Sequence, residues 1–164
     1  MDELDVLHEM KIPQLAAFLF ALTLCACVTR YTTPPEPRDG RATISGSHSY
    51  TSPFFAESAY ISGYDGTLFD LKSPSLDLEA GRRGLALGAS HKPGIQSFAE
   101  VTVTLEARKR YSVTSELKDD GLCHYRILEY ASKKEIGQTV SPAVPYSSKM
   151  TSKRYFLSKG WHFD

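Results

Sequence analysis

The stretch Ala99-Glu-Val-Thr-Val-Thr-Leu-Glu-Ala107 decides the fold class. Ala99, Val101, Val103, Leu105 and Ala107 alternate without error with Glu100, Thr102, Thr104 and Glu106. A pleated strand places all five apolar groups on one face, whereas a helix would scatter them round its cylinder. The segment is therefore expected as a half-buried strand.

Working outward, Tyr111, Val113 and Leu117 continue the period beyond Arg108-Lys-Arg110, which predicts a hairpin with a charged loop. Asp119-Asp-Gly121 is a turn sequence, and after it Cys123, Tyr125 and Ile127 share one face while His124, Arg126 and Leu128 take the other. Upstream, Ala42 with Ile44 and Tyr60-Ile61 before Gly63-Tyr-Asp-Gly66 mark two short strands. Leu76 with Leu78 and Leu85 with Leu87 predict a second hairpin with Arg82 and Arg83 near its tip. Seven or so short strands spaced by turns predict an all-β domain, a small antiparallel β-sandwich over residues 41–139. No helical periodicity follows residue 26.

The 164 residues carry 19 Lys+Arg against 19 Asp+Glu, which gives no reason to expect nucleic acid as a partner. Charged residues at 23% and aromatics at 11% fit a globular domain. Among the sites of chemistry, the short list is a negative one. No Gly-x-Ser-x-Gly elbow or phosphate-cradling loop is present, and His48, His91, His124 and His162 have no second ligand at metal-binding spacing, so no metal or cofactor is expected. Ser115-Glu-Leu-Lys118 matches a Ser-x-x-Lys pattern, but a strand puts its two functional groups on opposite faces. Cys123 has two readings, a buried inert side chain or a reactive thiol, and His124 points away from it across the strand. Basic runs at Arg82-Arg83 and Arg108-Lys109-Arg110 are solvated turns or, if gathered at one end, a surface for an anionic envelope component.

The N-terminal region carries an address. From Met10, a single Lys11 precedes an uncharged apolar run from Ile12 to Leu24. As a helix this run reaches about 20 Å, short of the roughly 30 Å hydrocarbon core, so it reads as a secretion leader rather than a membrane span. The acids at Asp2, Glu3, Asp5 and Glu9 do not suit such a leader, which points to Met10 as the start of translation. Leu24-Cys25-Ala26-Cys27 resembles the lipobox of bacterial lipoproteins, with Ala26 rather than Leu24 as the small residue before the modified cysteine. The resemblance implies cleavage after Ala26, diacylglyceryl transfer to Cys27 and anchoring in the bilayer. Val28 in place of Asp implies the periplasmic face of the outer membrane where the source has two membranes. Removing residues 1–26 takes four acids and one base from the chain, leaving a net charge of about +3.

Residues 27–40 then form a Pro-rich tether, Pro34-Pro-Glu-Pro37 at its centre. In polyproline geometry its residues reach about 40 Å. Residues 140–164 form a tail with two prolines and an aromatic cluster in which Trp161 and Phe163 are candidate partner contacts; it is either loose or docked on the domain or on a partner. Tyr60-Ile-Ser-Gly-Tyr-Asp-Gly66, Leu76-Asp-Leu-Glu-Ala-Gly81 and Val101 to Tyr111 are loosely similar to the PEGA and transthyretin-like β-sandwich modules of envelope lipoproteins. The expected function is a non-enzymatic binding or structural module of the bacterial envelope, held to the bilayer through Cys27. The alternative is an envelope hydrolase or thiol enzyme whose site the spacing does not display.

Overall fold

The computed structural model describes residues 34–52, 55–73, 75–91, 94–147 and 151–163. The leader, Cys27 and the first half of the tether lie outside these residues. Eleven strands follow in order: β1 (Arg41–Ser45), β2 (Ser47–Ser52), β3 (Phe55–Tyr64), β4 (Thr67–Ser73), β5 (Ser75–Glu79), β6 (Gly81–His91), β7 (Ile95–Leu105), β8 (Arg110–Leu117), β9 (Leu122–Glu129), β10 (Glu135–Pro145) and, after a short helix α1 (Ser152–Leu157), β11 (His162–Phe163). The class is all-β, as the alternation requires.

The pairing differs from two antiparallel layers. One hydrogen-bonded path runs β11-β4-β3-β6-β7-β10-β9-β8-β1-β5, with β2 beside β3. Two of its pairs, β1 with β8 and β11 with β4, are parallel. The mixed sheet curls on itself because two chain segments change partner along their length. β10 pairs with β9 from Glu135 to Pro142 and with β7 from Ala143 to Pro145. Pro142 has no N–H to give a ladder, and the exchange occurs beside it. On the opposite side β1 lies against β8 and β2 against β3, with only Gly46 between them. A Cβ at Gly46 would overlap the Ala59 carbonyl oxygen, so only glycine lets the chain pass this close.

The curl gives a single interior. Ala42 and Ile44 of β1, Ile61 of β3, Leu85 and Leu87 of β6, Val103 and Leu105 of β7, Val113 of β8, and Tyr125 and Ile127 of β9 meet in one core. Gly88 leaves room for the Tyr60 ring, which lies where a Cβ would project. Burial raises the Tyr60 phenol to about 12.

Three local expectations are corrected. β7 and β8 form no hairpin: β7 pairs with β6 and β10, β8 with β9 and β1, and the Arg108 link crosses between them with φ 63 and its amide on the Arg41 carbonyl. β5 pairs with β1 rather than with β6, so Arg82 and Arg83 lie inside β6 instead of at a hairpin tip. Residues 140–145 continue β10 rather than opening a tail.

The end of the chain also contains a helix that periodicity did not indicate. Thr151 caps α1 by accepting the Arg154 amide, and Phe156 is fully buried against Leu68, Ala86 and Phe98 on the outer face of the sheet. Trp161 packs on Phe156 with ring centroids 5.6 Å apart, and Tyr155 meets it edge-on at 5.0 Å. This aromatic group is a second, smaller core.

Candidate functional site

Strand direction separates the molecule into two ends. Residues 34–41, the β7–β8 link and the β9–β10 turn lie at one end, where Glu79 is opposite Arg41 and Glu129 opposite Tyr111. The β6–β7 and β8–β9 turns lie at the other, where His91 is opposite Ile95 and Leu117 opposite Cys123.

At this second end the inward face of the curled sheet turns polar. The phase that buries Leu85, Leu87 and Ala89 of β6 brings His91 inside next, and the phase of β9 brings in Cys123 and Tyr125. Ser97 of β7 arrives by the same alternation and is fully buried. The His91 Nε2 lies 3.1 Å from the Cys123 Sγ, and its Nδ1 lies 4.0 Å from a Glu57 carboxylate oxygen on β3. The carboxylate favours the proton on Nδ1, which leaves Nε2 to accept from the thiol. Nδ1 is buried without a hydrogen-bond partner among the described residues, and the Ser97 and Tyr125 hydroxyls, close enough to the thiol to act on it, complete no well-formed hydrogen bond there.

Burial also sets the protonation of this group. It pushes the Cys123 thiol up, against the smaller opposing pull of the Ser97 and Tyr125 hydroxyls, and it pushes His91 down, against Glu57. Burial, and next the proximity of Cys123, raises the Tyr125 phenol far above its ordinary range. A thiol held neutral beside a neutral imidazole, with 0% of Cys123 exposed, is a poor nucleophile.

Outside the polar group, an open groove of about 560 Å³ runs past Glu57, Ile95, Leu117, Lys118, Asp119, Gly121 and Ala143 to Pro145. Ser115 and Lys118 both border it, and the Lys118 ammonium is held by Glu116, which also receives Arg126 at 3.1 Å. Among the described residues no three His, Cys, Asp or Glu converge as a metal site needs.

The basic residues singled out from sequence gather at the first end, where acids and backbone oxygens answer most of them. Arg83 reaches Asp65 at 2.8 Å and Glu79 at 3.4 Å, Arg108 reaches Asp39 at 3.0 Å, and Lys109 reaches Glu129 at 2.6 Å. Arg110 donates to the Pro34 carbonyl and stacks on Tyr130, while Arg82 is exposed. The tether is pinned here too, through Arg38 with Asp77 and Asp39 with Arg108. Trp161 is engaged by the chain itself, and β11, which contains Phe163, pairs with β4. Cys27 lies outside the described residues.

The sequence placed Cys123 on an inward face and His124 on the opposite one, and the structure agrees. It missed His91, although extending the Leu85-Leu87-Ala89 alternation by one step reaches it. No known protein family matches the chain, nor does any curated protein or solved structure, so its chemistry is read from its own residues.

Proposed function

We propose that the protein is a lipid-anchored module of the bacterial envelope that binds another envelope component and performs no catalysis. In this reading the leader is cleaved after Ala26, Cys27 carries the lipid, and the curled sheet acts as a small sandwich-like head on a Pro-rich stalk. The supporting observation is one of placement. Residues 34–40 meet the sheet at the ion-paired end, and the groove opens at the other, so an anchor upstream of Pro34 leaves the groove facing away from the bilayer. Two or three acyl chains make such an anchor effectively permanent, since one alone binds only marginally. Intact mass and membrane fractionation of the wild type and Cys27→Ser test it. An acylated chain beginning at Cys27, lost in the variant, is the expected result; a soluble product retaining residues 10–26 rejects the anchor.

One observation favours a second reading, a thiol enzyme: the 3.1 Å approach of His91 to Cys123 with Glu57 behind the imidazole. Thiol labelling separates the two. A sealed Cys123 reacts only after unfolding, whereas a nucleophile reacts rapidly in the native protein.

A further inference from the structure

The edges of the curled sheet are not treated alike. At one, β11 pairs with β4. At another, β5 turns the carbonyls of Asp77 and Glu79 away from β1, and side chains answer both, Arg41 the first and Arg83 the second, each at 3.0 Å. β7 has no such guard. From Gly94 on, its even-numbered residues turn their backbone groups away from β6, since the Gly94 carbonyl accepts the Tyr146 amide and the Phe98 carbonyl the Ser141 hydroxyl. By the same alternation Glu100, Thr102 and Thr104 present theirs on that side, where β7 has no ladder partner beyond Ser97. β10 does not take the place: it crosses the inward side of β7, with Gly137 against the Val101 and Val103 side chains. Open cavities of about 500 and 230 Å³ border Thr102 to Thr104 and Glu100, and all of these even-numbered residues are exposed. An unguarded edge rich in β-branched residues is a template for another strand.

We propose that this edge pairs with the same edge of a second copy of the chain, β7 antiparallel to β7 about Thr102. A two-fold axis at Thr102 sets Glu100 of each copy opposite Thr104 of the other, so Glu100, Thr102 and Thr104 exchange their backbone hydrogen bonds and no like charges meet. Charge selects this occupant. Arg82 lies opposite Thr104 on β6, on the same exposed face. Among the described residues neither Arg82 nor Glu100 has an ion pair. In the pair, Thr104 stands between Arg82 and the second copy's Glu100, which are two strand spacings or about 9.6 Å apart, within the joint reach of an arginine and a glutamate. Each copy thus supplies the counter-ion that the other lacks, twice over by symmetry. The pairing goes beyond the binding-module reading and needs neither its anchor nor its groove. It turns the second copy end for end, so the two tethers leave the pair on opposite sides and each groove stays at the end opposite its own anchor.

The test uses the full-length chain in detergent. Edge pairing alone buries little surface, so sedimentation is expected to show a dimer with a dissociation constant on the order of 10 μM. Thr102→Cys should join two copies through a short thiol-specific crosslinker, whereas Glu100→Cys should do so only when mixed with Thr104→Cys; the wild type sets the background. Arg82→Glu weakens the dimer by about tenfold or more, and adding Glu100→Arg restores it. Thr102→Pro removes an edge amide and leaves a monomer; should it disturb the fold, the charge exchange stands on its own. A chain that stays monomeric at about 100 μM, a dimer joined through other positions, or a dimer indifferent to the charge exchange overturns the proposal. So does crosslinking of Thr102→Cys in cells to other proteins alone, which assigns the edge to a different partner.

Discussion

The two ends of the curled sheet differ in the polar groups they bury. At the tether end Arg38, Arg83, Arg108 and Lys109 each face a carboxylate, and Arg110 has a carbonyl and a ring. At the groove end exposed charges are matched as well, Lys118 and Arg126 on Glu116, but the buried His91 Nδ1 has no hydrogen-bond partner among the described residues and the Ser97 and Tyr125 hydroxyls make no well-formed hydrogen bond. Exposed ion pairs form at both ends; what differs is the buried polar group, a cluster around Cys123 at the groove end against an Asp77 carboxylate oxygen at the other. Unsatisfied buried groups cost stability and persist where something other than stability is served. The contrast supports the groove end as the proposed functional one, although the basic runs had drawn attention to the other.

Mutations can break or sharpen this contrast. The largest effect is expected from Tyr125→Ala, which empties a fully buried site of the core and lowers unfolding free energy by about 3–5 kcal/mol in urea titrations. A second, smaller effect comes from pH. The imidazole of His91 is below its ordinary value in the folded protein because burial disfavours the cation, so below about pH 6.5 the unfolded chain binds a proton that the folded one refuses. Stability is therefore full above that pH and falls as the pH drops from there towards the folded value, by at most about 1.4 kcal/mol per unit. His91→Leu should flatten this slope in denaturation series between pH 7.5 and 5; an unchanged slope would assign it to other groups.

At the tether end the expectation is weaker still. Arg83→Ala removes two partly exposed ion pairs and lowers stability by about 1 kcal/mol or less, a loss that shrinks further in high salt. The smallest change carries the most information. Tyr125→Phe deletes only a hydroxyl that makes no well-formed hydrogen bond, so it should leave stability unchanged or raise it by up to about 1 kcal/mol, as followed by the urea midpoint. A clear loss there would mean that the hydroxyl has a partner and that the two ends are more alike than drawn.

Much of the fold was legible because the alternation is local. Cys123, Tyr125 and Ile127 are buried on one face as read, and so are Ala99, Val103 and Leu105 with Val101 packed beside them, whereas Ala107 falls past the end of β7 and is exposed. Which strands pair was not legible, since alternation fixes a face and not a neighbour. The Arg108 link looks like a hairpin loop in sequence, yet it carries the chain from β7 to β8, which share no ladder. Helix α1 spans six residues, too few to show a period against the surrounding polar sequence. Of the candidate site, Cys123 was visible from its strand, whereas His91 and Glu57 come to it from strands far away in the chain.

The way the sheet closes has a kinetic consequence. Ile44 lies beside Tyr111, so the first described strand cannot find its parallel neighbour until about two thirds of the chain exists. Such distant pairing is entropically slow to form, and no early fragment can complete the interior on its own. The nascent polypeptide thus stays open until late in its synthesis, a delay that suits a chain threaded through a membrane before it folds, as the proposed leader would require.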